Sequence, residues 1–91
     1  MRLDKFLKYS GLIKRREVAK RVCEGGLAEL NGRTAKPSTK VSAGDRLRLQ
    51  IGLQITEHEI LAVPGHQVPK ADRPAYTRLL GSERVDPLAD I

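Results

Sequence analysis

Aromatic side chains are scarce in this chain: Phe6, Tyr9 and Tyr76 are its only ones, and tryptophan is absent. A protein that stacks successive unpaired bases needs a platform of rings. That platform is missing, which favours recognition of a folded nucleic acid by backbone and shape. A lone cysteine, Cys23, forbids an intramolecular disulfide and fits a reducing compartment. The two histidines, His58 and His66, lack companions at metal-ligand spacing, so no metal is assigned. With neither a phosphate-cradling glycine motif nor a nucleophile elbow, no catalytic role and no cofactor are expected. No apolar run nears the ~20 residues of a membrane span, and the start lacks the apolar core of a signal peptide. A soluble, cytoplasmic protein is expected. At 91 residues it is one small domain with little room for a deep pocket.

What is present is charge, and it is gathered. Residues 2–21 carry eight basic groups against Asp4 and Glu17, a net +6, while the remainder carries nine of each sign and sums to zero. Charge confined to one helix-patterned segment gives a directed field for a polyanion. A pI near 9.9 makes nucleic acid the first candidate partner, ahead of an anionic membrane surface.

At ~100° per residue, Leu3, Phe6, Leu7 and Ser10 share one side of a first helix, with Arg2, Asp4, Lys5, Lys8 and Tyr9 on the other. Gly11 closes it. Leu12 and Ile13 form an apolar joint. A second helix is expected from about Lys14 to Glu24, with Val18, Ala19, Val22 and Cys23 inward. Its start lacks a capping side chain, and Lys14, Arg15 and Arg16 stand at the positive end of the helix dipole. An outside anion would offset that penalty. Gly25-Gly26 then stops the helix.

Leu27 to Leu30, Asn31-Gly32 and Arg33 to Ala35 read as a hairpin with a type I′ turn. Lys36 to Lys40 is a polar connection, Gly44-Asp45 a turn, and Arg46 to Ile51 an alternating half-buried strand. Gly52 breaks it, and Leu53 to Val63 reads as another strand with a bulge near Glu57-His58. Beyond Val63, Pro64, Pro69, Pro74 and Pro87 punctuate a polar tail. A short helix is expected at 75–80, with frayed residues beyond Ser82. The division is thus residues 1–63 and a partly ordered extension at 64–91.

Arg2-Leu3-Asp4, Arg15-Arg16-Glu17, Ala19, Gly25-Gly26, Leu30-Asn31-Gly32, Lys36-Pro37 and Gly44-Asp45 form a set that resembles the S4 domain. That RNA-binding domain takes its name from small-subunit ribosomal protein S4. The resemblance covers about residues 1–51 well and the second half more weakly. It implies an α+β fold: a two-helix hairpin packed on a small, bent, mostly antiparallel sheet, with a short C-terminal extension. The family's second helix usually opens with Ser-Arg; here Lys14-Arg15-Arg16 loses the cap and adds charge.

The opening MRLDKFLK and the joint LIKRR are most similar to stand-alone family members of ribosome-associated quality control. For that branch the resemblance implies a non-enzymatic factor that binds large-subunit ribosomal RNA and tRNA on obstructed large subunits. It would assist non-templated elongation of the stalled peptide beside a quality-control tailing factor, as a monomer. Two alternatives are a heat-shock-type factor on free large subunits carrying peptidyl-tRNA, and a module partnering an RNA-modifying enzyme. A membrane-surface binder is disfavoured by the narrow apolar face of the first helix. The strands that follow Gly-Gly fit a helix-turn-helix DNA protein poorly.

Arg2 and Arg16 are the first candidates for phosphate contacts, because an arginine fork holds phosphate in two places. Lys5, Lys8, Lys14, Arg15, Lys20 and Arg21 supply field more than register, and Arg33 and Lys36 would extend the surface along the hairpin. Asp4 is read as orienting a neighbouring arginine. Tyr9 can stack on a base or pack between the helices.

Overall fold

The first helix is too short to be stable by itself. In the computed structural model, which describes residues 1–85, α1 runs only from Leu3 to Tyr9. Packing and borrowed hydrogen bonds hold it. Leu3, Phe6 and Leu7 are fully buried, each worth about 1.5–3 kcal/mol relative to exposure. The N–H groups of Leu3 and Asp4 donate to the carbonyls of Thr39 (2.8 Å) and Pro37 (3.2 Å), so the 36–40 loop closes the open start of α1. Its other end closes as expected, with Ser10 buried and Gly11 at φ +83°.

Helix α2 spans Arg16–Glu24, two residues shorter at its start than the sequence pattern implied. The N–H of Ile13 donates to the Leu7 carbonyl at 3.0 Å and its side chain is buried, which pins the joint. Arg15 is extended (φ −120°, ψ 130°) and stands at the cap position without a side-chain cap bond. Ala19, Val22 and Cys23 face the core at helical spacing. Val18, expected among them, is instead exposed, because it lies about 100° round the helix from Ala19.

Five antiparallel strands follow: β1 (Ala28–Leu30), β2 (Arg33–Thr34), β3 (Arg46–Ile51), β4 (Gln54–Ile60) and β5 (Thr77–Arg84), in the spatial order β2-β1-β3-β4-β5. The β1–β2 turn has Asn31 at φ 54° and Gly32 at φ 84°, the two positive values that a type I′ turn requires. Leu47 and Leu49 of β3 face the helices and Arg46 and Arg48 face away, whereas Ile51 lies exposed at the strand end. The β4–β5 register shifts between Glu57 and His58, with Leu80 as the extra residue.

The expected helix at 75–80 is not there. A 3-10 turn occupies Lys70–Ala75, and Tyr76 then leads into β5. Pro74 has no N–H to continue a helix, and the open edge of β4 offers a full ladder of partners, so pairing overrides local pattern. Nor does order stop at Ser82, since β5 continues to Arg84; the rest of that expectation, at 86–91, lies outside the described residues. Between β4 and β5, residues 64–76 cross the end of α1. Val68 is buried there, with its N–H donating to the Tyr9 carbonyl at 2.9 Å.

Candidate nucleic-acid interface

Asp4 was placed by helical spacing on the solvent side of α1, but it is 2% exposed. The 36–40 loop and α2 close over it. Its carboxylate takes a two-pronged contact from Arg2, Nε to Oδ1 at 3.1 Å and Nη2 to Oδ2 at 3.2 Å. The Lys5 N–H also donates to Oδ1, at 2.8 Å. From α2, the Nε of Arg16 approaches Oδ2 at 3.7 Å. One buried carboxylate therefore holds two arginines from different helices. Both arginine side chains remain about half exposed, at 52% and 51%. Arg2 commits two of its five N–H groups to Asp4, which leaves three outside that contact.

An open groove of about 520 Å³ lies beside this pair, between α2 and the chain from Thr34 to Ser38. Arg2, Lys20 and Lys36 line it, with Glu24 and Cys23 on its α2 wall. Lys20 lies 3.9 Å from Glu24, an exposed pair of little energetic weight. Thr34 and Ser38 add hydroxyls that nothing in the sequence pattern marked.

The other candidates are dispersed around this centre. Lys14 and Arg15 are exposed ahead of α2, Arg21 is exposed in its last turn, and Arg33 is exposed on the edge strand β2. Lys5 sits over the Tyr9 ring, 5.2 Å from its centroid, so that ring meets a cation of its own chain. Lys8 donates to Gln67 Oε1 at 2.7 Å, which ties it to the 64–76 segment.

The far face of the sheet balances its charges, several of them in pairs, with Arg46, Arg48 and Arg78 against Glu29, Glu57, Glu59 and Glu83. Arg48 lies 3.9 Å from Glu29 and 3.4 Å from Glu83, and Arg78 lies 2.7 Å from Glu59. The unbalanced positive field therefore belongs to the helices. Burial, with Asp4 and Glu24 adding to it, pushes the Cys23 thiol up to about 11, which fits a core residue and not a nucleophile. Among the described residues no cluster of three or more metal-ligating side chains occurs, and no helix is long and apolar enough to cross a membrane.

Residues 1–47 match the S4 domain family. A Listeria innocua protein named RQC P-site tRNA stabilizing factor is 45% identical over 86 residues, which are 94% of this chain and 92% of that protein. The chain belongs to this family. Its fold agrees with solved S4-type structures. Vibrio cholerae Heat Shock Protein 15, determined as a trimer, matches with a TM-score of 0.82 at 28% identity, over 89% of this chain and 82% of that one. A hypothetical protein determined in solution matches with a TM-score of 0.76 at 42% identity, over 91% and 100%. All ten cationic positions named from the sequence fall within the S4 match, as do both helices and the hairpin.

Proposed function

We propose that this chain is a non-enzymatic RNA-binding factor of ribosome-associated quality control. It binds large-subunit ribosomal RNA and a P-site tRNA on obstructed subunits, where it assists non-templated elongation of the stalled peptide. The observation that carries the reading is the convergence of Arg2 and Arg16 on buried Asp4, beside a groove lined by Lys20 and Lys36. Two arginines oriented by one carboxylate are prepared to meet backbone phosphates, and the surrounding lysines raise the local field. Arg2, Lys5, Lys8, Lys14, Arg15, Arg16, Lys20, Arg21, Arg33 and Lys36 make up the surface, with the two arginines setting register. The factor acts as a monomer in the cytoplasm, alongside a tailing factor.

The relatives' name, RQC P-site tRNA stabilizing factor, supports the choice of tRNA site. A heat-shock-type role on free large subunits is the second reading, favoured by the fold likeness to Heat Shock Protein 15. The higher identity to the quality-control proteins ranks the first above it.

Co-sedimentation with purified large subunits tests the proposal. Wild type should pellet with them at low salt, and Arg2→Ala plus Arg16→Ala should stay in the supernatant. With about six phosphates engaged, log affinity should fall with log salt at a slope of roughly −4 to −5. A double variant that pellets like wild type removes the site assignment.

A further inference from the structure

We propose that Arg73 is a second contact to an RNA backbone phosphate, positioned by Gly11 at the opposite end of α1 from Arg2. The inference rests on the reading that the helical surface meets RNA, and adds to it a residue of the extension. Gly11 has φ +83°, and a Cβ there would overlap Nε and Cζ of Arg73. The guanidinium thus occupies space that only glycine leaves open.

Among the described residues the Arg73 side chain has no hydrogen-bond acceptor. Its Nε is shut off from water without a hydrogen-bond partner. Among the described residues no carboxylate lies within ion-pair distance of it, whereas Arg2, Arg16, Arg48 and Arg78 each have one. The covered Nε fixes the side chain against Gly11, and the terminal N–H groups are the ones that could meet a ligand. Arg73 as a whole is half-buried, so it is not sealed within the core.

Its placement is fixed from both sides. Upstream, Val68 and Gln67 donate to the Tyr9 carbonyl at 2.9 and 3.3 Å, and Lys8 donates to Gln67. Downstream, the Tyr76 N–H donates to the Arg73 carbonyl at 3.0 Å, and Leu61 donates to that of Tyr76 at 2.8 Å. Lys14 and Arg15, which follow Gly11 in the chain, are exposed and have no carboxylate partner among the described residues. Residues 11–17 and 70–73 together hold Lys14, Arg15, Arg16, Lys70 and Arg73, five cations, against Glu17 and Asp72. That excess favours phosphate as the ligand. A helix of seven residues spans about 10 Å, so Arg2 and Arg73 would hold RNA at two separated points.

The test compares Arg73→Ala, Arg73→Met and Arg73→Lys with wild type and with the Arg2→Ala plus Arg16→Ala variant. The probes are purified large subunits and, separately, a protein-free ribosomal RNA transcript, each titrated across a salt series. Arg73→Met fills the Cδ and Nε positions against Gly11 and removes the rest of the guanidinium with its charge and donors. The expected result is about tenfold weaker binding for Arg73→Ala and Arg73→Met at low salt. The salt slope should also become shallower by roughly 0.7–0.9, the value of one phosphate, while Arg73→Lys keeps it. Wild-type affinity and slope in Arg73→Met would overturn the inference by reducing Arg73 to packing. A loss on subunits but not on the transcript would also overturn it, because the group would then face a ribosomal protein. If the double variant loses binding while Arg73→Met does not, the inference alone fails. If wild type binds neither probe, the functional reading falls and takes the inference with it.

Discussion

Asp4 and Arg16 lie on different helices, yet the carboxylate of one stands 3.7 Å from the Nε of the other, with Arg2 on the same carboxylate. Position and charge make opposite predictions here. Asp4→Asn makes the protein more basic, so attraction to RNA by field alone would strengthen. If Asp4 works by orienting the two arginines, affinity should instead fall about fivefold or more, because both side chains must be ordered at the moment of binding. A filter-binding titration of Asp4→Asn against wild type separates the two, and tighter binding would count against orientation.

The hairpin turn should be a point of stability. Asn31 adopts φ 54°, donates to Asp45 Oδ1 at 3.0 Å and accepts from the Arg46 N–H at 2.9 Å. Asn31→Ala would lose both bonds and keep an unfavourable left-handed conformation, at a cost of about 2 kcal/mol. Asn31→Gly loses the bonds but relieves the backbone, so its urea midpoint should fall less. Equal midpoints for the two would refute this account of the turn.

His58 is 8% exposed, and burial holds its pKa below the ordinary histidine value of 6.5. The unfolded chain therefore takes up the proton at higher pH than the folded one. The neutral ring's contribution is present above pH 6.5 and is lost as pH falls below it. Urea midpoints measured through that window should drop for wild type and stay flatter for His58→Gln. Matching profiles would assign the acid sensitivity to other groups.

Cys23 should resist alkylation. With its thiol pushed up to about 11 and its side chain in the core, almost no thiolate is present near pH 8. Iodoacetamide labelling followed by mass spectrometry should be slow in the folded protein and rapid in urea. Similar rates in both would mean that the α1–α2 interface opens freely.

The parts legible in the sequence were those whose signal is local. Gly11, Gly25-Gly26, Asn31-Gly32 and Gly44 stand where the chain turns, and the alternation of Arg46 to Ile51 marked β3 with its observed bounds. The orienting role read for Asp4 corresponds to its contacts with Arg2 and Arg16. What escaped depended on distant partners. Asp4 reads as a surface residue until the 36–40 loop arrives to cover it. Leu79 and Leu80 look helical until β4 presents its open edge, where Leu79 pairs with His58 far back in the chain. Nothing near Gly11 announces Arg73, which reaches it only because residues 64–76 fold back over α1.

The opening residue is woven into the body of the molecule. Met1 packs on the core and its carbonyl accepts from the Val41 N–H at 2.9 Å, while Arg2 beside it forms a bridge with Lys40. Any fluorophore or purification handle joined ahead of it would emerge next to the arginine pair and shade the groove. At the other end of the described residues, the Val85 N–H donates to the Leu53 carbonyl at 2.7 Å, beside the β3–β4 turn and away from the arginine pair.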